Sequence, residues 1–287
     1  MPVLPNMLNN NGLTAIEFDV MGVRHRVEVP DPATREAVRS MFPAYAVVST
    51  AGPRDGEGVT LRVECNDGGW SIKTPSRPEP VFCATFDAFV DDCEYCLTEV
   101  FLEGCANSVQ LHASGWAADA GAVIVLGPSG AGKSSLATHG SLSGLPAFGD
   151  DLVLIGDDGI AAPFKRLFKS DPDLLRRFGV DPAGTAFWGA ASEEAWFDPA
   201  QAGGWAEPAP VKVVALVRFV AGEGLSVKAM SSADGLSLLV HSCFETGLEK
   251  ADAFSRLADL MNKAGAVEVR FGGADEAVRV LSEVASS

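Results

Sequence analysis

Eight consecutive residues, Gly127-Pro128-Ser129-Gly130-Ala131-Gly132-Lys133-Ser134, have the composition of a phosphate cradle. They satisfy G-x-x-x-x-G-K-(S/T) at every fixed position, between an apolar run at 122–126 and a helix-forming stretch at 134–143. Glycine lets backbone N–H groups approach phosphate oxygens with no Cβ in the way. A helix starting directly after the loop adds its free first amides and the positive end of its dipole. Lys133 supplies a point charge for β- and γ-phosphates, and the Ser134 hydroxyl suits Mg²⁺. Gly127 through Ser134, with Ser135 beside them, form the expected nucleotide-binding set.

Asp150 and Asp151 follow Lys133 by 17 and 18 residues and lead into an apolar run at 152–155. Adjacent carboxylates at a strand start point in different directions, so one can face a metal and the other an acceptor hydroxyl. A solvated acidic turn, like Asp157-Asp158 nearby, is the plain alternative. Lys165, Arg166 and Lys169 form a basic cluster in an otherwise acidic protein. They suit a transferring phosphoryl group or an anionic acceptor as well as they suit an ordinary surface turn. Phe187, Trp188, Trp196, Phe197 and Trp205 then mark an aromatic segment: an acceptor pocket, a lid, or a packed loop.

The surrounding elements read as an α/β protein. Residues 14–20 and 23–29 alternate around Met21-Gly22 as a hairpin does, and Asp31-Pro32 opens a helix over 33–41. A second hairpin is expected from 59–65 and 70–74 about Asn66-Asp67-Gly68-Gly69. Apolar residues at helical spacing predict an amphipathic helix over 86–103. The pattern changes near 106, which divides a strand-rich α+β domain over 1–105 from a P-loop catalytic domain over 106–287. In the latter, strands are expected at 108–112, 122–126, 152–155, 160–162, 211–220 and 267–271. Residues 225–229 are expected to pair with 211–220, and helices are expected at 251–263 and 275–284. Residues 170–210, rich in Pro, Gly, Ala and Trp, are predicted to be mostly irregular.

Residues 111–155, LHASGWAADAGAVIVLGPSGAGKSSLATHGSLSGLPAFGDDLVLI, resemble the catalytic core of the HPr kinase/phosphorylase family and its kinase relatives. That group is structurally akin to phosphoenolpyruvate carboxykinase. The family pattern runs from a histidine through a short β-hairpin, the P-loop and one helix to an Asp-Asp pair opening a strand. His112, Gly127 to Ser134, and Asp150-Asp151 occur here in that order. The resemblance implies ATP and Mg²⁺ as ligands, with Asp150 and Ser134 on the metal. It implies Asp151 as the base for an acceptor hydroxyl, with Lys133 on the phosphates and His112 orienting Asp151. It implies transfer to an alcohol, whether a seryl residue, a small metabolite or a lipid headgroup. Residues 210–217, PVKVVALV, do not match the Glu-(Ile/Val)-Arg-Gly-Leu-Gly segment of true HPr kinases, so the likeness is to a divergent member.

The 287 residues include 22 Lys and Arg against 38 Asp and Glu, a net charge of -16. That balance excludes a broad basic face for duplex nucleic acid or an anionic membrane. No apolar run approaches the roughly 18–20 residues of a spanning helix, and the first residues lack the signature of a secretory signal. The expected location is cytoplasmic, with thiols reduced. Cys83, Cys93, Cys96 and Cys105 read as small core hydrophobes in and around the long helix rather than as zinc ligands. Two other function classes stay open: a nucleotide-binding regulatory module without transfer activity, and an NTPase coupled to mechanical work. The intact Asp pair disfavours the first; the lack of a clear distant Walker B strand and arginine finger disfavours the second. Oligomeric state is open.

Overall fold

The computed structural model describes residues 14–47, 60–66, 68–187, 193–244 and 247–286, and the chain divides into two compact units, Met1–Cys105 and Ala106–Ser287. It is a mixed α/β protein with several sheets. In the first unit, β1 (Thr14–Val20) and β2 (Val23–Val29) form a hairpin in register from Thr14↔Val29 to Val20↔Val23. Asp31 caps α1 (Pro32–Met41) by accepting from the amides of Ala33 and Thr34. Then come β3 (Ala46–Val47), β4 (Leu61–Asn66), β5 (Gly69–Lys73), β6 (Val81–Cys83) and α2 (Phe86–Gly104). The sheet order is β3-β1-β2-β4-β5-β6, and Val59 and Asp67 of the expected second hairpin lie outside the described residues. Ile16, Phe18, Val20 and Val27 turn one sheet face inward, where Phe18 meets Phe101 of α2 at 5.3 Å between ring centres.

Cys83, Cys93, Cys96 and Cys105 are buried, free thiols. Burial pushes Cys83 up to about 12 and Cys105 up to about 11, so these groups stay protonated and pack as apolar side chains.

The second unit begins with β7 (Val109–Leu111), β8 (Ser114–Ala118), β9 (Gly121–Leu126), α3 (Lys133–Leu142), β10 (Ala147–Gly149), β11 (Val153–Ile155) and β12 (Ile160–Pro163). There follow β13 (Phe168–Ser170), α4 (Pro172–Arg177), β14 (Ala195–Phe197), β15 (Ala209–Phe219) and β16 (Ser226–Ala229). The unit closes with α5 (Ser232–His241), α6 (Lys250–Met261), β17 (Gly265–Phe271) and α7 (Ala274–Ser286). Its central sheet runs β10-β8-β9-β15-β12-β11-β7, with β17 joining β15 to β16. β15 is parallel to both β9 and β17.

Strand side chains alternate between faces, so β9 feeds two cores at once. Ala122, Ile124 and Leu126 meet Leu239 of α5 and Leu257 and Leu260 of α6. Val123 and Val125 meet Leu136 of α3 and Val278 and Leu281 of α7. A continuous apolar run is what a strand covered on both faces requires.

One expectation is corrected. β16 pairs antiparallel with β17, from Ser226↔Arg270 to Ala229↔Val267, and not with β15. The edge of β15 is already taken by β17 from Val213↔Gly265 onward, which leaves β16 the outer position. The described residues of 170–210 are mostly irregular, as expected, with short pieces of regular structure among them. Asp171, Asp181 and Asp198, each followed by proline, cap α4 and two single 3-10 turns. β13 and β14 pair with each other, and Phe168, Leu175 and Phe197 form a buried cluster with Ala137 of α3. Tertiary packing holds these short pieces where local propensity is weak.

Trp116 ties β8 to both helices of one layer. It is fully buried, its Nε1–H donates to Ser282 Oγ of α7 at 2.9 Å, and its ring packs near Gly140 of α3. Trp116→Ala is expected to cost about 3–5 kcal/mol, read as faster hydrogen exchange of the β9 amides. An effect below about 1 kcal/mol would contradict this packing.

Candidate functional site

At Leu126 the buried strand β9 gives way to the glycine loop. Gly127 has φ +156, and a Cβ there would lie 2.8 Å from Val217 O and 2.9 Å from Ala131 Cβ. Gly132, with φ +93, is the N-cap of α3, and its Cβ would lie 2.8 Å from Phe271 Cζ. No side chain caps α3, so its first amides are donors available to an anion. The Lys133 ammonium is buried and donates to Gly127 O at 2.9 Å and Pro128 O at 3.4 Å.

The acid pair occupies the turn between β10 and β11. Ser114 Oγ donates to the Asp150 carbonyl, which ties this turn to the start of β8. The Asp150 carboxylate is buried, with Oδ2 accepting from the Lys169 N–H at 3.2 Å and the carboxylate also bonded to the Ser134 hydroxyl. Burial pushes its carboxyl up to about 7, and Asp151 adds to that. Arg166, the Lys169 amide and Ser134 pull the other way. Asp151 is half-exposed; its Oδ1 lies 3.1 Å from His112 Nδ1 and its Oδ2 lies 3.3 Å from Arg166 Nη2. The two neighbours therefore have opposite surroundings, one dry and one at the cleft.

His112 directly follows β7. Its backbone N–H donates to Ser242 O at 2.7 Å, while the Phe244 N–H donates to Gln110 O at 2.9 Å. Phe244 then meets the imidazole edge-on at 5.8 Å. The segment after α5 thus fixes the histidine. Neither α5 nor Phe244 was expected from the sequence, although Ser231 and Asp234 give the start signal: the Ser231 hydroxyl accepts from the Asp234 N–H at 3.1 Å.

A cleft of about 370 Å³ brings these parts together, lined by His112, Asp151, Ser129, Gly130, Ala131, Gly132, Lys133, Ser134 and Ser135. Phe219, Phe271 and Ala274 complete the wall and were not anticipated. Of the basic cluster, Arg166 reaches the acid pair, whereas the Lys169 ammonium lies 4.6 Å above the Trp196 ring. Lys165 is half-buried and is not among the cleft-lining residues. Trp196 and Phe197 are buried, which makes that part of the aromatic segment a packed anchor; Trp188 lies outside the described residues.

The donor set fits a hard divalent cation. A buried carboxylate and a hydroxyl stand together, and both are oxygen donors of the kind Mg²⁺ takes. Among the described residues no group of three or more His, Cys, Asp or Glu side chains is placed to hold a metal ion. Such a cation would therefore need phosphate oxygens as well. No family model matches the chain, and no curated protein matches its sequence.

The raised Asp150 carboxyl makes a testable statement about stability. Between roughly pH 4 and pH 7 the folded protein keeps a proton that the unfolded chain releases, so this group's contribution falls as pH rises through that window. Asp150→Asn is expected to flatten the slope and, at pH 8 in chelator, to stabilise the protein by something on the order of 1–4 kcal/mol. Denaturant melts at pH 4.5 and 8 (about those values) check it, and a less stable variant at the higher pH would contradict it.

Proposed function

We propose that residues 106–287 form a P-loop kinase domain of the HPr kinase/phosphoenolpyruvate carboxykinase type, transferring the γ-phosphoryl group of ATP to an alcohol. The observation that carries this reading is one cleft lined by the loop lysine and serines on one side and the His112–Asp151 pair on the other. A binding module needs the loop, but it has no use for a carboxylate held at the cleft by a histidine.

The loop amides and Lys133 hold the β- and γ-phosphates and offset their charge. Ser134 and Asp150 would hold Mg²⁺, which when bound neutralises charge developing on the phosphate oxygens. Asp151 takes the proton of the acceptor hydroxyl at a carboxylate oxygen. The acceptor oxygen then bonds to the γ-phosphorus as the bond to the β–γ bridging oxygen breaks, and ADP leaves. A carboxylate only accepts, so His112 carries its proton on Nδ1 and fixes the orientation of Asp151. Arg166 pairs with the other Asp151 oxygen and balances its charge. Positioning and charge, rather than covalent catalysis, do the work.

The test is a host-cell extract of peptides, metabolites and lipids, incubated with Mg²⁺ and labelled ATP and read by mass spectrometry. Wild type is expected to label an alcohol, and Lys133→Ala is expected to label none. Asp151→Asn should bind Mg-ATP within a few-fold of wild type while transfer drops by about 10²–10⁴. Full activity in Lys133→Ala would remove the phosphate cradle from the account. A collapse of nucleotide affinity in Asp151→Asn would make that residue a metal ligand instead.

A further inference from the structure

The strand order gives the cleft a direction. Gly149 at the end of β10 pairs with Gly115, and Ser114 at the start of β8 pairs with Val125 at the end of β9. Asp150 and Asp151 therefore stand two strands from the glycine loop on one side. On the other side, β15 pairs Leu216 with Leu126 and runs on to Phe219, whose N–H donates to Ala131 O at 3.0 Å. A triphosphate with its γ-end at the acid pair and its β-phosphate in the loop would carry its nucleoside toward that second side.

Phe219 is 47% exposed at this point, an unusual place for a large apolar ring beside a phosphate loop. Its orientation is set from below. Phe271, 1% exposed, meets it at 5.7 Å and 64°, and Gly132 brings the loop against the Phe271 ring and the Phe219 Cβ. Phe219, Phe271 and Ala274 carry no side-chain donor or acceptor, and the Val220 N–H is already given to Phe271 O at 2.8 Å. An exposed aromatic ring on the cleft wall suits a flat base, because every base has a π-face.

We propose that Phe219 is the nucleobase platform of this site, a stacking surface that reads the shape of a purine without reading its edge. The inference rests on the triphosphate reading of the cleft and adds a specificity-determining residue with a consequence: ATP and GTP bind with similar affinity.

Calorimetric titrations with the Mg²⁺ complexes of ATP, GTP and inorganic tripolyphosphate test it on the full chain. Phe219→Ala is expected to weaken ATP and GTP alike, by roughly tenfold, while tripolyphosphate binds within about twofold of wild type. Phe219→Trp should restore both nucleotides. Unchanged ATP affinity in Phe219→Ala, an equal loss for tripolyphosphate, or a wild-type preference for ATP over GTP beyond about tenfold would each overturn the platform. In those cases tripolyphosphate binding keeps the phosphate cradle standing. If neither ATP nor tripolyphosphate binds wild type, the cradle falls and the platform falls with it.

Discussion

The burial of the Asp150 carboxylate organises the site. A charged oxygen pair removed from water is unfavourable unless something replaces the lost hydration. Here the replacements are the Lys169 amide and the Ser134 hydroxyl, and Arg166 lends charge from nearby. Each comes from a different part of the chain: the first turn of α3, the start of β13, and the segment between β12 and β13. Holding one carboxylate in place therefore draws the glycine loop and the basic cluster to the same point. It also leaves Asp151, one residue on, at the cleft beside His112.

The sheet supplies the rigidity that this arrangement needs. β9 is buried on both faces, and helices pack on each. The loop at its end is confined by the neighbouring strands: Val217 O crowds Gly127, and Phe271 crowds Gly132. The glycines are therefore required by packing alone, apart from any phosphate they would admit in the proposed role. A larger residue at either position would push the loop away from β15 or β17 before any ligand arrived.

Much of this was legible in the chain. The glycine loop between a buried strand and a helix, and the acid pair opening a strand, are local patterns, and strongly periodic segments such as α2 announce themselves by spacing. What was not legible depends on distant contacts. β10 is short and rich in small residues, and exists because β8 offers it an edge. β16 follows β15 in sequence, but β17 arrives later and displaces it. Phe219 and Phe244 are single aromatic residues with no motif around them. Their places at the cleft and beside His112 come from where β15 ends and from how the chain leaves α5.

The most direct test of the central claim is a crystal structure with Mg²⁺ and a non-hydrolysable ATP analogue. The account predicts the β- and γ-phosphates in the loop from Gly127 to Ser134, the cation on Ser134 and Asp150, and the γ-phosphate facing Asp151. A nucleotide bound elsewhere, or bound in the loop with its terminal phosphate turned away from Asp151, would contradict it.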